Sequence, residues 1–202
     1  MKLLKYTQGS PEWLAMRRNC IGASDAPIIM GVSPYRTREQ LMHDKVYGTS
    51  IKMSASMSYG KQMEPELLRC CELWTSGTPM FPGKVYAHDL REWMIASIDV
   101  SNIDVTQIFE TKCANKVDHA IAVSGEIPPK YYPQLQHQIA VTGLDGSYYF
   151  SYHQGEGKLN WCPKNEEYIE VMLQKELEFY QEMIEMKRKH IESIENDEAV
   201  GW

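Results

Sequence analysis

The sequence FETKCA, residues 109–114, places a carboxylate and an ammonium two positions apart in an otherwise apolar run. Residues two apart on a β-strand project from the same face of its sheet, so a strand here sets Glu110 beside Lys112. The same Glu-x-Lys spacing recurs at residues 156–158 and 185–187, and an isolated pair of this kind is usually solvated and contributes little. The triplet alone therefore leaves two interpretations open, a surface ion pair and half of an active site.

The length and composition of the chain indicate one globular unit. Its 202 residues are enough for one sizeable core and few for two domains, which predicts a single domain over residues 1–202. No run approaches the ~20 apolar residues that span a bilayer, and Tyr6 and Thr7 interrupt the apolar region that a signal peptide needs. We therefore expect a cytoplasmic protein with no membrane partner.

The five cysteines fit neither a disulfide framework nor a zinc site. Their number is odd, no C-x-x-C occurs, and Cys70 and Cys71 are adjacent. We expect reduced, mostly buried thiols.

The net charge of −6 is unevenly distributed. Residues 1–62 carry a net +5, residues 63–155 a net −5 and residues 156–202 a net −6. A basic N-terminal third offers phosphates a local positive surface, although chance together with an acidic C-terminal helix accounts for the asymmetry more simply.

The N-terminal half carries clear helix signals. Ser10 and Pro11 are an N-cap and a first-turn proline, which predict a helix to about Arg18. Thr37 with Gln40 resembles a capping box. These signals predict helices over residues 11–18, 38–46 and 58–74, with an irregular loop over 47–57.

The remainder reads as strands followed by helices. Short apolar runs bounded by turn residues predict strands over 80–87, 92–98, 107–114 and 147–153, and helical spacing predicts helices over 130–142 and 164–195. Asp99 and the following SNIDVT read as the turn between the second and third strands. Together these elements predict an α/β fold with a central mixed β-sheet flanked by helices.

Three acids and one lysine fall at positions that could meet. Glu64 lies on the helix before the sheet, and Asp99 ends the second strand. If strands 92–98 and 107–114 are neighbours, Asp99 can approach Glu110 across the ladder. Two such carboxylates need a neutralising partner, and oxygen ligands select a hard cation such as Mg²⁺ or Mn²⁺. With Lys112 nearby, this set suits metal-assisted hydrolysis of a phosphodiester.

Four ordered blocks resemble the lambda exonuclease / YqaJ-like viral recombinase family of PD-(D/E)xK nucleases, over nearly the whole chain. Residues 11–35 are similar to the family's W-x-x-x-R…G-x-S-x-A-x-x-x-G block, and YGKQMEPE (59–66) to its G-x-x-x-E helix. ASIDV (96–100) with FETKCA resembles the Asp…Glu-x-Lys core, and YYPQLQHQ (131–138) the Tyr-x-x-Gln-x-Gln helix. The resemblance implies a restriction-endonuclease-like core.

The resemblance also implies roles for the residues that match its motifs. Asp99 and Glu110 would ligate a metal with the Thr111 carbonyl, since the Thr111 side chain is expected to point to the other face. Glu64 would bind a second metal, directly or through water. Lys112 would position the attacking water, and a further residue, Gln134, would hold that lysine or the water.

A second group of matched residues concerns the DNA end. Arg17 and Ser24 would bind the 5′-phosphate left after each cut, and Met57 would be an apolar wedge that splits the terminal base pair. From the residues alone, Arg17 could equally be a surface arginine and Ser24 an N-cap. The sequence departs from the family at Ile98, where proline is usual, and at Val100, where glycine is frequent.

The activity implied by the resemblance is a Mg²⁺-dependent 5′–3′ exonuclease that degrades one strand of linear double-stranded DNA to 5′-mononucleotides. It would leave 3′ single-stranded tails for phage-type recombination in the cytoplasm of a bacterial host. The implied assembly is a homotrimeric ring, and the implied partner is a phage single-strand annealing protein. An endonuclease of the same superfamily and a catalytically inactive DNA-binding module are the alternatives.

Overall fold

The computed structural model describes residues 1–7, 9–48 and 54–200, and of residues 197–200 only the backbone. Its helices are α1 (Pro11–Arg18), α2 (Ala26–Ile29), α3 (Arg38–Tyr47), α4 (Ala55–Trp74), α5 (Lys116–Val123), α6 (Tyr132–Thr142) and α7 (Glu166–Val200). Its strands are β1 (Lys2–Leu4), β2 (Ile21–Gly22), β3 (Met80–Pro82), β4 (Val85–Ala87), β5 (Met94–Ser97), β6 (Val100–Asn102), β7 (Ile108–Cys113), β8 (Gly146–His153) and β9 (Glu156–Pro163).

The strands form two sheets, and each mixes parallel and antiparallel pairs. The first has the order β1-β4-β5-β2, with β2 parallel to β5. The second has the order β3-β6-β7-β8-β9, with β7 parallel to β8. With helices packed against these sheets, the predicted α/β class with a mixed sheet is confirmed.

The predicted helix starts are confirmed by their caps. The Ser10 hydroxyl accepts a hydrogen bond from the backbone of Trp13, and Thr37 and Gln40 form a complete capping box for α3. Helix α4 begins earlier than predicted, because Ser54 caps it and accepts from the backbone N–H of Met57. The end of the predicted 47–57 loop is therefore helical, and residues 49–53 lie outside the described residues.

The predicted neighbour relation between strands 92–98 and 107–114 is wrong. Strand β5 belongs to the first sheet, whereas β7 pairs with β6 and β8 in the second. The intervening SNIDVT is not simply a turn, because Val100–Asn102 forms β6, whose Val100 pairs with Phe109. Asp99 consequently lies at the bend where the chain leaves one sheet and enters the other.

Several other elements were not predicted, among them α5 and β9, and one predicted strand is divided. Helix α5 follows β7 directly and begins at the cap Asn115, and β9 forms the edge of the second sheet beside β8. The predicted strand 80–87 is divided into β3 and β4 around Gly83, where a Cβ would lie 1.5 Å from the Ile98 carbonyl oxygen. No residue but glycine fits so close to a neighbouring backbone.

Alternation along β7 assigns its side chains to two different cores. Phe109 packs with Leu67 and Cys71 of α4 on one face of the second sheet. Ile108 packs with Leu135 and Ile139 of α6 on the other. Glu110 shares the face of Ile108 by strand alternation, so the helix that covers it is α6.

The five cysteines are free thiols, as predicted, but the expectation that most are buried is wrong, because only Cys71 and Cys162 are buried and the other three are half-buried. Within residues 1–7, 9–48 and 54–200, no helix is both long and apolar enough to cross a bilayer.

Candidate active site

Glu110 is the centre of the candidate site and is fully buried. Its Oε1 accepts hydrogen bonds from the Lys112 ammonium and from Gln134 Nε2, the latter at 2.7 Å. Its Oε2 accepts from Gln138 Nε2 at 2.5 Å. Gln134 and Gln138 are four residues apart on α6 and so share one helical face. The predicted neighbours Lys112 and Gln134 are thus brought to Glu110, and Gln134 binds this carboxylate rather than the lysine.

The charges of the site perturb one another strongly. Burial raises the pKa of Glu110 to about 7, and the Asp99 carboxylate adds to the rise, while Lys112 and Gln138 oppose it. Burial alone would lower the pKa of Lys112, but Glu110 and then Asp99 outweigh it and raise that pKa. The lysine therefore stays protonated, and Glu110 is a carboxyl that titrates near neutrality.

Asp99 approaches Glu110 from the bend between β5 and β6. Its Oδ2 accepts hydrogen bonds from the backbone N–H of Thr111 at 2.9 Å and from the Thr111 hydroxyl at 3.3 Å. As expected, strand alternation turns the Thr111 side chain away from Glu110, and on that side its hydroxyl contacts Asp99. Asp99, at the bend before β6, thus lies next to the part of β7 that carries Glu110.

One aromatic ring lies beside the ammonium of Lys112. The ring of Tyr131 lies 5.5 Å from Lys112 Nζ, within range of a cation–π interaction, and stacks on Tyr149 with centroids 5.6 Å apart. Lys130 contacts the same ring at 5.2 Å and donates to Asp118 at 2.7 Å. Sequence reasoning missed this support, although Tyr131 belongs to the motif that contains Gln134.

A second polar cluster contains the residues predicted to bind a 5′-phosphate. Arg17 Nη2 donates to the Ser24 hydroxyl at 2.7 Å, and the Arg17 guanidinium lies 4.6 Å from the Trp13 ring centroid. A Cβ on Gly22 would lie 3.4 Å from Arg17 Nη2. The structure therefore brings Arg17 and Ser24 together and gives each an exposed polar edge.

A buried ion pair that the sequence analysis missed supports this cluster. Lys45 Nζ donates to Asp25 Oδ2 at 2.6 Å, to the Arg17 carbonyl at 2.8 Å and to the Cys20 carbonyl at 2.7 Å. Burial alone would raise the pKa of Asp25, but Lys45 and then Arg17 hold it below its usual value. Asp25 follows Ser24 directly, so its position in the Gly-x-Ser-Asp block was the available signal.

Two predicted site residues stand apart from these clusters. Glu64 is exposed on α4, and its carboxylate has no hydrogen-bond partner among the described residues. It precedes Cys71 by seven residues, about 10 Å of helix. Burial raises the pKa of Cys71, and the Asp99 carboxylate adds to that rise. Met57 is 52% exposed in the first turn of α4 rather than in a loop.

The donor set near Asp99 fits one hard cation. Asp99, Glu110 and the Thr111 carbonyl offer oxygen atoms, which Mg²⁺ and Mn²⁺ prefer, and burial together with the nearby Asp99 carboxylate raises the pKa of Glu110. In the described parts of the chain, no group of three or more His, Cys, Asp or Glu side chains is close enough to hold a metal.

Comparisons with known proteins agree with this fold. A crystal structure of an alkaline exonuclease (LHK-Exo) from Laribacter hongkongensis is similar, with a TM-score of 0.75 and 22% identity over 94% of this chain and 98% of that one. A phage-related exonuclease from Haemophilus somnus 129PT is similar with a TM-score of 0.62 and 11% identity, over 86% and 96% of the two chains. At these identities the likeness concerns the fold.

Sequence relationships define the family. An uncharacterized protein YqaJ from Bacillus subtilis (strain 168) is 26% identical over 178 residues, which are 86% of this chain and 56% of that protein. The chain thus spans little more than half the length of this curated relative. The model of the YqaJ-like viral recombinase domain matches residues 12–145, which include both clusters, and the chain therefore belongs to that family.

Proposed function

We propose that the protein is a Mg²⁺-dependent exonuclease that degrades one strand of linear double-stranded DNA in the 5′ to 3′ direction. It releases 5′-mononucleotides and leaves 3′ single-stranded tails for phage-type recombination. The observation that carries the proposal is the convergence of Asp99, from the bend between β5 and β6, with Glu110 and Lys112 of β7, where two glutamines donate to Glu110. Mn²⁺ is an alternative cofactor, because the donors are oxygen atoms.

Each residue of the first cluster has a role in this proposal. Asp99, Glu110 and the Thr111 carbonyl hold the cation, which supplies an activated water and neutralises phosphate charge. Lys112 stays protonated, so it orients the attacking water and stabilises the charge that develops on the phosphate oxygens. Gln134 donates to Glu110 Oε1 and so fixes the orientation of this carboxylate, which would hold the cation.

The direction of degradation rests on the second cluster. Arg17 offers a guanidinium, the fork-shaped donor that binds phosphates bidentately, and Ser24 offers a hydroxyl beside it at 2.7 Å. We assign the 5′-phosphate of the DNA end to this pair. Met57 acts as the wedge at the terminal base pair, and Glu64 binds a second cation through water when DNA is present.

The names of the relatives support the proposed class of activity. The Laribacter protein is described as an alkaline exonuclease and was also crystallised in complex with dAMP. The Haemophilus protein is described as a phage-related exonuclease, and the family model as a viral recombinase domain.

The assembly and the partners belong to the same proposal. We propose a homotrimeric ring around the DNA, a phage single-strand annealing protein as partner, and the cytoplasm of a bacterial host as the place of action. A ring gathers the basic residues of the N-terminal third around the duplex, which reconciles DNA binding with a net charge of −6.

One assay separates this proposal from its alternatives. Linear duplexes with 5′-phosphate or 5′-hydroxyl ends, and closed circular duplexes, are incubated with Mg²⁺ and wild-type, Lys112→Ala or Arg17→Ala protein. We expect wild type to degrade the 5′-phosphorylated linear duplex fastest. Lys112→Ala should lose at least about a hundredfold in rate, and Arg17→Ala should lose the preference for 5′-phosphate.

Matched variants serve as controls for this assay. Lys158→Ala removes the lysine of another Glu-x-Lys triplet, on β9, where Glu156 is solvated, so its rate should stay near wild type. Arg69→Ala removes an exposed arginine on α4 and is the control for Arg17→Ala. Cleavage of circular DNA as fast as linear DNA would indicate an endonuclease. Absence of any Lys112-dependent hydrolysis would indicate a catalytically inactive DNA-binding module.

A further inference from the structure

The last turn of α1 carries two consecutive arginines whose side chains contact different parts of the protein. Arg17 contacts Ser24, as described above, whereas Arg18 lies between α3 and α7 and donates to the Val46 carbonyl at 3.3 Å. There it lines a groove of about 370 Å³ whose other polar walls are Asn19, Tyr47, Lys187 and His190. Nothing in the proposed catalytic machinery uses this groove.

The end of α3 leaves room for the Arg18 guanidinium. Gly48, which ends the helix, has a φ of 75°, and a Cβ at this position would lie 2.9 Å from Arg18 Cζ. A side chain here would therefore be strained and would also displace the guanidinium. The backbone thus places Arg18 at the wall of the groove.

The cations of the groove have neutral partners. Lys187 Nζ donates to the Arg18 carbonyl at 2.6 Å and to Asn19 Oδ1 at 2.7 Å. Among the residues whose side chains the structure describes, neither Arg18 nor Lys187 has a carboxylate within 4.0 Å. By contrast, the next two cations on α7, Arg188 and Lys189, both pair with Glu185.

The electrostatics of Lys187 agree with an uncompensated positive site. Burial lowers the pKa of Lys187 to about 8, and the nearby Arg18 and Lys45 add to the fall. An anion bound between Arg18 and Lys187 would reverse this effect, since opposite charge favours the protonated ammonium. Capping of α1 explains why Lys187 contacts the Arg18 carbonyl, but it explains neither the groove nor the placement of the Arg18 guanidinium.

We propose that this groove binds a backbone phosphate of duplex DNA through Arg18 and Lys187, in addition to the 5′-phosphate site at Arg17 and Ser24. The inference rests on the proposed DNA substrate. It adds a contact that holds the duplex whatever its end carries. A guanidinium and an ammonium are the usual protein donors to DNA phosphates.

The test measures binding rather than cleavage. Affinity for a linear duplex with 5′-hydroxyl ends is measured in EDTA at several salt concentrations, so that neither hydrolysis nor a terminal phosphate contributes. Each phosphate contact adds about 0.9 to the slope of log affinity against log salt. We expect Lys187→Met and Arg18→Met each to reduce that slope by about 0.9, with Lys187→Arg restoring it. Lys189→Met, which removes an ion-paired cation from the same helix, should leave the slope unchanged.

The outcomes are distinguishable. If wild type does not bind the duplex, the proposed function fails and the groove assignment with it. If wild type binds and both Lys187→Met and Arg18→Met keep its slope, only the groove assignment is overturned. Thermal unfolding of each variant is measured beside the titrations. If either Lys187→Met or Arg18→Met is unstable, the other variant decides the outcome. Inorganic phosphate at the same ionic strength should compete weakly, and full competition at micromolar phosphate would indicate a free-phosphate site instead.

Discussion

Glu110 has lost all contact with solvent, yet its two oxygens accept hydrogen bonds from Lys112, Gln134 and Gln138. Burial with a second carboxylate nearby raises its pKa to about 7, so part of the protein carries a neutral Glu110 at physiological pH. Because a cation binds the ionised carboxylate, proton loss and metal binding are linked at this residue.

The first residue-scale prediction concerns this linkage. Below pH 7, Mg²⁺ binding must release the Glu110 proton, so affinity should rise about tenfold per pH unit and level off above pH 7. Isothermal titration calorimetry between pH 5.5 and 8.5, in buffers of different ionisation enthalpy, measures both affinity and proton release. Glu110→Gln should remove the proton release. A wild-type Mg²⁺ affinity that does not change with pH would contradict the assignment of Glu110 as a metal ligand.

The second prediction concerns Gln138, to which the sequence analysis assigned no role. Gln138 lowers the pKa of Glu110 by its hydrogen bond, so Gln138→Leu should raise that pKa and move the acidic limb of the kcat/KM profile upward by about one pH unit. Gln136→Leu is the matched control, because Gln136 is buried on the same helix but bonds to the Pro163 carbonyl. An equal shift in both variants would argue against a direct effect.

At the scale of elements, the site depends on how β5 passes into β6. The Asp99 carbonyl accepts from the backbone N–H of Gly83 at 2.8 Å, and this glycine approaches Ile98 too closely to carry a side chain. The close packing of Gly83 against Ile98 therefore fixes the backbone at this bend.

The third prediction follows from that packing. Gly83→Ala should displace Ile98 and Asp99, lower the free energy of unfolding by about 2 kcal/mol or more, and reduce nuclease activity. Gly60→Ala is the control, since a Cβ there meets nothing within 4 Å in the middle of α4 and should stabilise by up to about 1 kcal/mol. Urea denaturation and initial rates measure the two effects. A Gly83→Ala protein with wild-type activity would contradict the role of this contact.

The elements that sequence reasoning predicted well are those with local signals. The caps Ser10 and Thr37 satisfy backbone donors of their own helices, so a few neighbouring residues determine where these helices begin. Strand pairing has no such local signal. Asp99 was expected to reach Glu110 across a β5–β7 ladder, but an additional short strand, β6, lies between them in the chain and belongs with β7.

The candidate site was predicted to the extent that its residues lie in recognisable motifs. The cluster around Glu110 and the Arg17–Ser24 pair are brought together as predicted, although their roles stay predictions. The supporting partners were missed because only folding joins them. Lys45 reaches Asp25 from a different helix, and no spacing along the chain indicates that contact.

At the scale of the whole molecule, a buried polar contact joins the last helix to the sheets. His137 of α6 bonds through Nδ1 to Glu176 Oε1 of α7 at 2.7 Å and through Nε2 to the Ile95 carbonyl of β5 at 2.9 Å. Both side chains are fully buried. Burial alone would lower the pKa of His137, but Glu176 outweighs it and raises that pKa. One histidine thus connects α6, whose glutamines donate to Glu110, with the first sheet and with α7.

The fourth prediction concerns the stability that this contact provides. Because the folded pKa of His137 is raised, its stabilisation is complete below the ordinary histidine pKa of about 6.5 and declines as pH rises through the folded value. Glu176→Ala should therefore lower the free energy of unfolding by about 3 kcal/mol at pH 6, and by less at pH 9. Glu178→Ala, exposed on the same helix and bonded only to Gln174, should change it by less than about 0.5 kcal/mol. Urea unfolding from pH 5.5 to 9 measures both series, and a loss on Glu176→Ala that grows with pH would show that His137 is neutral in the folded protein.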